Sequence, residues 1–182
     1  MARFHGVRRL DGGGVRVRLS HREREALRSL PDQLRPLLTG EQDADTPQGP
    51  LRDRLFPRGY DDPLAEMEYR ELVGSSLVDE RVAALDEFAR TLESGDDKRL
   101  WWALELDADE AAAWLSAVND ARLTLGMLLG IESEGQWEGG PDPEDPTSVM
   151  MFYLGWLEEE LVHALMGGLG GDAGAGPAAA GQ

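Results

Sequence analysis

The chain has 182 residues and a formal net charge of −17, a length that suits one domain with a sizeable core and is short for two. It contains no cysteine, which excludes disulfides, thiolate metal sites and cysteine catalysis. No apolar run follows the basic N-terminal residues, and none approaches the roughly 18 residues of a membrane span. We therefore expect a cytoplasmic protein that does not enter a membrane.

The charge is divided unevenly along the chain. Residues 1–40 hold nine of the 18 basic residues and four of the 35 acidic ones. Such asymmetry favours a basic contact surface on an acidic body, although charge that only maintains solubility explains it as well. Such a surface could contact the phosphates of DNA, an acidic protein or the chain's own acidic helices. The candidate residues are Arg8, Arg9, Arg16, Arg18, Arg22, Arg24 and Arg28.

The first residues predict a β-hairpin at the edge of the fold. Residues 2–19 end in an alternation of apolar residues with arginines, Val15-Arg-Val-Arg-Leu19, which follows a glycine-rich turn at 11–14. An isolated hairpin is marginally stable in water, so it must pack on a helix or a third strand. Residues 100–106 alternate well enough to be that strand, and a helical turn fits them nearly as well; we favour the strand.

Three helical segments are predicted between the hairpin and residue 95. The first spans about 20–39, opens with the Ser-x-x-Glu spacing of a capping box and contains two prolines that should kink it. The Asp-, Pro- and Gly-rich residues 40–61 predict a loop. A second helix covers about 62–73, residues 74–76 (Gly-Ser-Ser) interrupt it, and a third covers about 77–94.

Residues 107–130 form the most apolar helical segment and should lie at the centre of the domain. Apolar residues cover nearly its whole circumference after an acidic capping box, which is typical of a buried helix. Arg122 projects from the middle of this apolar surface, and a buried guanidinium needs a paired carboxylate. We expect Glu160 as its partner, because that residue falls in the apolar face of the last helix, about 146–166. Asn119 is the other polar residue expected to be buried.

Together these elements predict a mainly α protein with a small sheet at one edge. We expect one domain over 1–166 with about five helices and a hairpin or a three-stranded sheet. Residues 131–145 should form a second loop, and the Gly/Ala-rich tail 167–182 should have no fixed structure. A homodimer through the broad apolar arc of the last helix is one way to cover that arc, and burial within the monomer is another.

No motif indicates catalysis or a cofactor. Gly12-Gly-Gly14 lacks the strand-to-helix setting and the lysine of a phosphate-binding loop. Glu160-x-x-His163 has the spacing of a di-metal helix motif, but such a site needs a second copy of the motif, and the sequence holds none. We expect a non-enzymatic protein without cofactor or metal; a metal-binding helical bundle is the remote alternative.

A specific string follows the acidic capping box: Trp114-Leu-Ser-Ala-Val-Asn119-Asp120-Ala-Arg122-Leu123-Thr-Leu125-Gly126. Together with the hairpin before Ser20 and the segment Leu55-Phe-Pro-Arg-Gly-Tyr60, this string resembles one actinobacterial family. That family, first catalogued as a domain of unknown function, is labelled AosR-like oxidative-stress transcriptional regulators. The likeness covers about residues 3–165.

The resemblance implies a mostly helical cytoplasmic protein that acts in gene control through a sigma factor or DNA, with redox input. Genes of this family often lie near that of a Clp protease adaptor, which implies an alternative role as a helical adaptor or scaffold in regulated proteolysis. We favour a stress-response regulator that acts mainly by contact with a sigma factor or RNA polymerase. Because the chain has no cysteine, a thiol or disulfide switch cannot operate in it.

Overall fold

A computed structural model describes residues 6–40, 48–131 and 140–167 of the chain. Within these ranges, the strands are β1 (Gly6–Arg9), β2 (Val15–Leu19), β3 (Asp96–Asp97) and β4 (Trp102–Leu106). The helices are α1 (His21–Arg28), α2 (Leu30–Thr39), α3 (Gln48–Leu55), α4 (Pro63–Ser94), α5 (Ala108–Leu128) and α6 (Pro146–Met166). The prediction of a mainly α fold with a small sheet is confirmed.

The strands form one antiparallel sheet in the order β1-β2-β4-β3. β1 and β2 are the predicted hairpin, and β4 pairs with the free edge of β2, so the strand predicted within 100–106 is confirmed. The two-residue β3 adds a fourth strand, which is too short to show an alternation. Side chains alternate between the two faces of a strand, and the inner face carries the buried residues Val15, Val17, Leu19, Trp102, Leu104 and Leu106.

Helix α5 lies at the centre of the core, as predicted. Its capping box is present, with Asp107 and Glu110 each accepting the backbone N–H of the other at 2.8 and 2.9 Å. It packs against α4, α6 and α3 and also meets α2 and β4. The fully buried Trp114 fixes it to α4: the ring meets Phe88 edge-on, with 4.8 Å between centroids, and the indole N–H donates to Thr91 Oγ1 at 2.8 Å.

The kinked helix predicted over 20–39 is instead two helices that meet at Ser29. Pro31 is the second residue of α2. Proline lacks a backbone N–H, and this costs nothing in the first turn of a helix, because N–H groups there have no intrahelical partner. In a continuous helix its ring would collide with the carbonyl group of Leu27. The prolyl ring therefore ends α1, and the chain begins a new helix instead of bending the old one.

The two helices predicted over 62–73 and 77–94 are one 32-residue helix, α4. A glycine inside a helix costs about 1 kcal/mol relative to alanine, which is too little for Gly74 to end this one. Ser76 donates its hydroxyl to the Val73 carbonyl at 2.9 Å and is satisfied within α4.

The predicted loop 40–61 is wrong in part, because α3 occupies 48–55. Leu51 and Leu55 lie one helical turn apart and are both buried, so α3 contributes to the core through one face. Helix α6 is confirmed over the predicted span. Parts of the predicted hairpin, loops and tail lie outside the described residues, namely 2–5, 41–47, 132–139 and 168–182.

Gly95, between α4 and β3, lies directly against the fully buried ring of Trp102. A Cβ atom at this position would lie 2.4 Å from two ring carbons. We expect Gly95→Ala to lower the free energy of unfolding by about 1–3 kcal/mol, because the ring or the chain must shift. Urea denaturation measures this change. Gly12→Ala is the control, since a Cβ there meets nothing within 4 Å; equal losses in both variants would contradict the close packing.

Candidate functional site

The outer face of the sheet carries three of the predicted contact arginines. Arg16 and Arg18 point outward because their neighbours in β2 fill the inner face. The strand register places Arg8 opposite Arg16 on one side and Glu105 opposite it on the other. Arg16 Nε donates to Glu105 Oε1 at 2.9 Å. Since like charges directly opposite each other destabilise a sheet, Glu105 offsets the repulsion between the two arginines.

Two further side chains complete this surface next to β4. The guanidinium carbon of Arg18 lies 5.5 Å from the centre of the Trp101 ring, a cation–π distance. Lys98 Nζ lies 3.3 Å from Asp96. An open groove of about 330 Å³ runs between these groups. We call the surface formed by Arg8, Arg16, Arg18, Lys98, Trp101 and Glu105 the sheet face.

The cations of the sheet face are not all neutralised. Arg8 and Arg18 are both exposed. Neither of them forms an ion pair with any residue in the described ranges. The sheet face therefore presents positive charge to solvent beside the half-buried ring of Trp101.

Arg24, by contrast, is used by the fold. Its side chain is 14% exposed, and its Nε donates to the Leu92 carbonyl at 3.0 Å. The guanidinium also lies 5.0 Å from the centre of the Trp102 ring and 3.3 Å from Glu93. Arg24 therefore binds α1 to the end of α4 and is not available to a partner.

The other three arginines are distributed over separate places. Arg28 pairs with Glu25 and Glu93 at 2.8 and 2.6 Å. Arg9 donates to the Leu165 carbonyl at 3.1 Å, a favourable position because the C-terminus of a helix carries partial negative charge. Arg22 is exposed and has no ion pair with the part of the chain that the structure describes. One continuous basic strip of seven arginines therefore does not form.

Three residues predicted to be buried and polar are only partly buried, namely Arg122, Asn119 and Glu160. Arg122 pairs with Glu158, so its predicted pairing with Glu160 is wrong. The guanidinium lies against Gly155, whose Cβ position is 3.6 Å from Arg122 Nε, and Glu158 follows one turn later on the same side of α6. Glu160 points to β1 instead, where its Oε2 lies 3.7 Å from the Cβ position of Gly6.

A buried charge that the sequence did not predict is Asp120, which is 1% exposed. It pairs with Arg81 of α4, whose guanidinium carbon also lies 5.2 Å from the centre of the Phe56 ring. Burial raises the pKa of Asp120, and the positive charge of Arg81 opposes that shift. A row of small residues at helical spacing marks this second buried face of α5 and could have revealed it: Ala113, Ala117, Asp120 and Thr124.

Within the described residues, no group of three or more His, Asp or Glu side chains is arranged to hold a metal ion. No helix in those ranges is long and apolar enough to cross a membrane. The candidate site is therefore the sheet face, which the helical core supports from its inner side.

Comparison with known proteins identifies the family of this helical protein. Residues 1–165 match the family described as Domain of unknown function (DUF2017), and the chain belongs to that family. A relative from Mycobacterium leprae, named putative oxidative stress regulator AosR, is 33% identical over 168 residues, which are 79% of this chain and 71% of the relative. The resemblance to AosR-like proteins is thus confirmed.

Relatives from Mycobacterium bovis and Mycobacterium tuberculosis are named oxidative stress regulator AosR. Each is 31% identical over 139 residues, which are 68% of this chain and 62% of the relative. The chain therefore spans less than two thirds of these two proteins. No solved structure matches the chain.

Breaking the Arg81–Asp120 pair should destabilise the protein in a pH-dependent way. Arg81→Met leaves Asp120 buried without its cation, and we expect a loss of about 3 kcal/mol in the free energy of unfolding at neutral pH. A carboxyl group whose pKa is higher in the folded than in the unfolded state favours folding at low pH and loses that contribution as pH rises through the folded-state pKa. The deficit relative to wild type should therefore shrink as pH falls.

Urea denaturation over a pH series measures this effect. The control is the double variant Arg81→Met/Asp120→Leu, which removes both charges and should recover most of the stability, since no unpaired buried charge is left. A deficit in Arg81→Met that stays constant with pH, or a double variant no more stable than the single one, would show that Asp120 is not the cause.

Proposed function

We propose that this chain is a cytoplasmic, non-enzymatic regulator of transcription in the stress response, and that it acts by protein contact. The names of the mycobacterial relatives, which describe oxidative stress regulators, support a regulatory role. The observation that carries the mode of action is the sheet face. It exposes cations on a chain whose net charge is −17, so an acidic partner can approach it at one place while the rest of the surface repels that partner.

The residue types of the sheet face suit a protein partner. Arginine and tryptophan are the residues that most often dominate the binding energy of protein interfaces, and Arg18 lies against Trp101 here. The partner that the family resemblance implies is a sigma factor or RNA polymerase. Duplex DNA is less favoured, because the acidic body would repel its phosphates. An adaptor in Clp-type proteolysis would also act by contact, and the identity of the captured partner distinguishes it.

Charge reversal on the sheet face should abolish partner binding. We expect Arg8→Glu/Arg18→Glu to reduce the retention of RNA polymerase or a sigma factor by at least about tenfold in a pull-down, because two exposed cations of the contact surface become anions. The control is Arg52→Glu/Arg58→Glu, which changes the net charge equally at exposed arginines in α3 and the segment after it. Helix α3 packs mainly against α5 and α2.

Removing the negative charge of the sheet face should strengthen partner binding. Glu105→Gln frees Arg16 from its ion pair and should tighten binding about two- to fivefold at low salt, with the gain fading as salt rises. It should cost less than about 1 kcal/mol of stability, because both side chains of this pair are partly exposed. Retention that the sheet-face variants leave unchanged would contradict the proposed surface. Capture of Clp components would favour the adaptor, and a gel shift at low salt would add DNA as a partner.

A further inference from the structure

The first half of α4 stands apart from the hydrophobic core. The second half of this helix buries Leu85, Phe88 and Leu92, whereas between residues 63 and 79 the one buried residue is Glu66. Three large apolar side chains of the first half are exposed instead, Leu64 by 61%, Met67 by 58% and Leu72 by 80%. Leu72 has the largest exposed fraction of any large apolar side chain in the described residues. The fold does not use these side chains.

Polar contacts hold this half of α4 in place. Glu66 accepts the backbone N–H groups of Gly59 and Tyr60 at 2.9 and 3.1 Å and also pairs with Arg70. The hydrogen bond from Arg70 lowers the pKa of Glu66, so the carboxylate stays charged at neutral pH. The Tyr60 and Tyr69 rings meet edge-on, with 5.6 Å between centroids. The exposed apolar side chains therefore lie on an anchored helix.

The exposed face combines apolar and acidic residues. Leu64, Glu68 and Leu72 follow each other at intervals of four, and Met67 and Glu71 form a parallel row beside them, so all five share one side of the helix. Glu68 and Glu71 are exposed, and neither has an ion pair within the described ranges. We call these five residues the α4 ridge.

We propose that the α4 ridge docks a cationic amphipathic helix of a protein partner. The leucines and Met67 would meet the apolar side of that helix, and Glu68 and Glu71 would meet the lysines or arginines that flank it. The α4 ridge is separate from the sheet face. It would bind a cationic partner, whereas the sheet face would bind an acidic one, so the inference goes beyond the proposed function.

Charge argues against two other occupants of the α4 ridge: a second copy of the chain, and the chain's own segments beyond residue 40. In a symmetric pairing of two α4 ridges, Glu68 and Glu71 of both copies would approach each other, and like charges at an interface cost binding energy. The chain's own segments beyond residue 40 that lie outside the described residues hold no Lys or Arg, namely 41–47, 132–139 and 168–182. They cannot supply a cationic occupant.

An open groove beside the α4 ridge adds a place for an anchoring side chain. It has a volume of about 410 Å³ and lies between α4 and the segment after α3, with Phe56, Tyr69, Leu77 and Val78 among its lining residues. Gly74 also lines the groove, and a Cβ at this position would meet nothing within 4 Å. Its volume falls in the range of pockets that hold apolar groups.

The test measures binding of the full chain to a synthetic helical peptide by titration calorimetry. The peptide, about 18 residues long, carries leucines on one face and lysines elsewhere, and a scrambled peptide of the same composition lacks the apolar face. We expect the amphipathic peptide to bind at least about tenfold more tightly than the scrambled one. Leu64→Ser/Leu72→Ser, which leaves the charge unchanged, should weaken its binding by at least about tenfold.

Two variants keep the test specific. Leu100→Ser/Leu128→Ser removes two leucines that are 66% and 70% exposed elsewhere on the molecule and should bind the peptide as wild type does. Glu68→Lys/Glu71→Lys should weaken binding by charge alone, and circular dichroism checks that each variant is folded. Equal binding of both peptides, equal losses in both leucine variants, or no binding at all would overturn the proposal. A dimer in sedimentation equilibrium that Leu64→Ser/Leu72→Ser dissolves would also overturn it, since a second copy would then occupy the α4 ridge.

Discussion

Helix α5 is covered by other elements on most of its circumference, and this burial constrains the rest of the structure. The ring and the N–H of Trp114 both have partners on α4. Asp120 pairs with Arg81, which fixes a second point at which α4 crosses α5. A buried, unpaired carboxylate would cost several kcal/mol, so the relative position of these two long helices is specified by charge as well as by packing. Because Arg81 also contacts Phe56, the same pair positions the segment after α3.

The central helix also decides which surfaces remain free. The sheet covers the core with its inner face, and the residues of β2 and β4 that point the other way form the outer face. The second half of α4 buries Leu85, Phe88 and Leu92 in the core, whereas the first half buries Glu66 alone and is held by that residue. Two candidate contact surfaces follow from this arrangement, a cationic one on the sheet and an acidic, apolar one on α4. Because the two surfaces differ in charge, the partners proposed for them differ as well.

Local signals in the sequence predicted much of the fold, and long-range packing decided the rest. The capping box of α5 and the alternation in β2 are patterns of a few neighbouring residues, and each was confirmed. The continuity of α4 through Gly74 depends on its whole length, because a cost of about 1 kcal/mol is offset by packing further along. The pairing of Arg122 depends on which carboxylate of α6 lies beside it, namely that of Glu158, and a helical wheel of α5 does not contain this information.

The same distinction between local sequence signals and long-range packing applies to the candidate site. The clustering of arginines in the first 40 residues was visible in the composition, but their separation into free and engaged side chains was not. Arg24 and Arg28 both pair with Glu93, which lies 69 and 65 residues further along the chain. They meet because the last turn of α4 lies beside α1. Arg8 and Arg18 lie on the outer face because of the strand register, and neither has an ion pair within the described ranges. Such facts follow from the tertiary structure alone.

The central claim is that the chain regulates by protein contact through the outer face of its sheet. Site-specific photo-crosslinking from position 103 tests it most directly, because Ala103 lies in the groove between Arg16, Arg18 and Glu105. A photoreactive amino acid there, activated in living cells, should yield an adduct that mass spectrometry identifies as a sigma factor or an RNA polymerase subunit. Adducts with unrelated proteins or protease components, or adducts that form equally from a position on α6, would contradict the account.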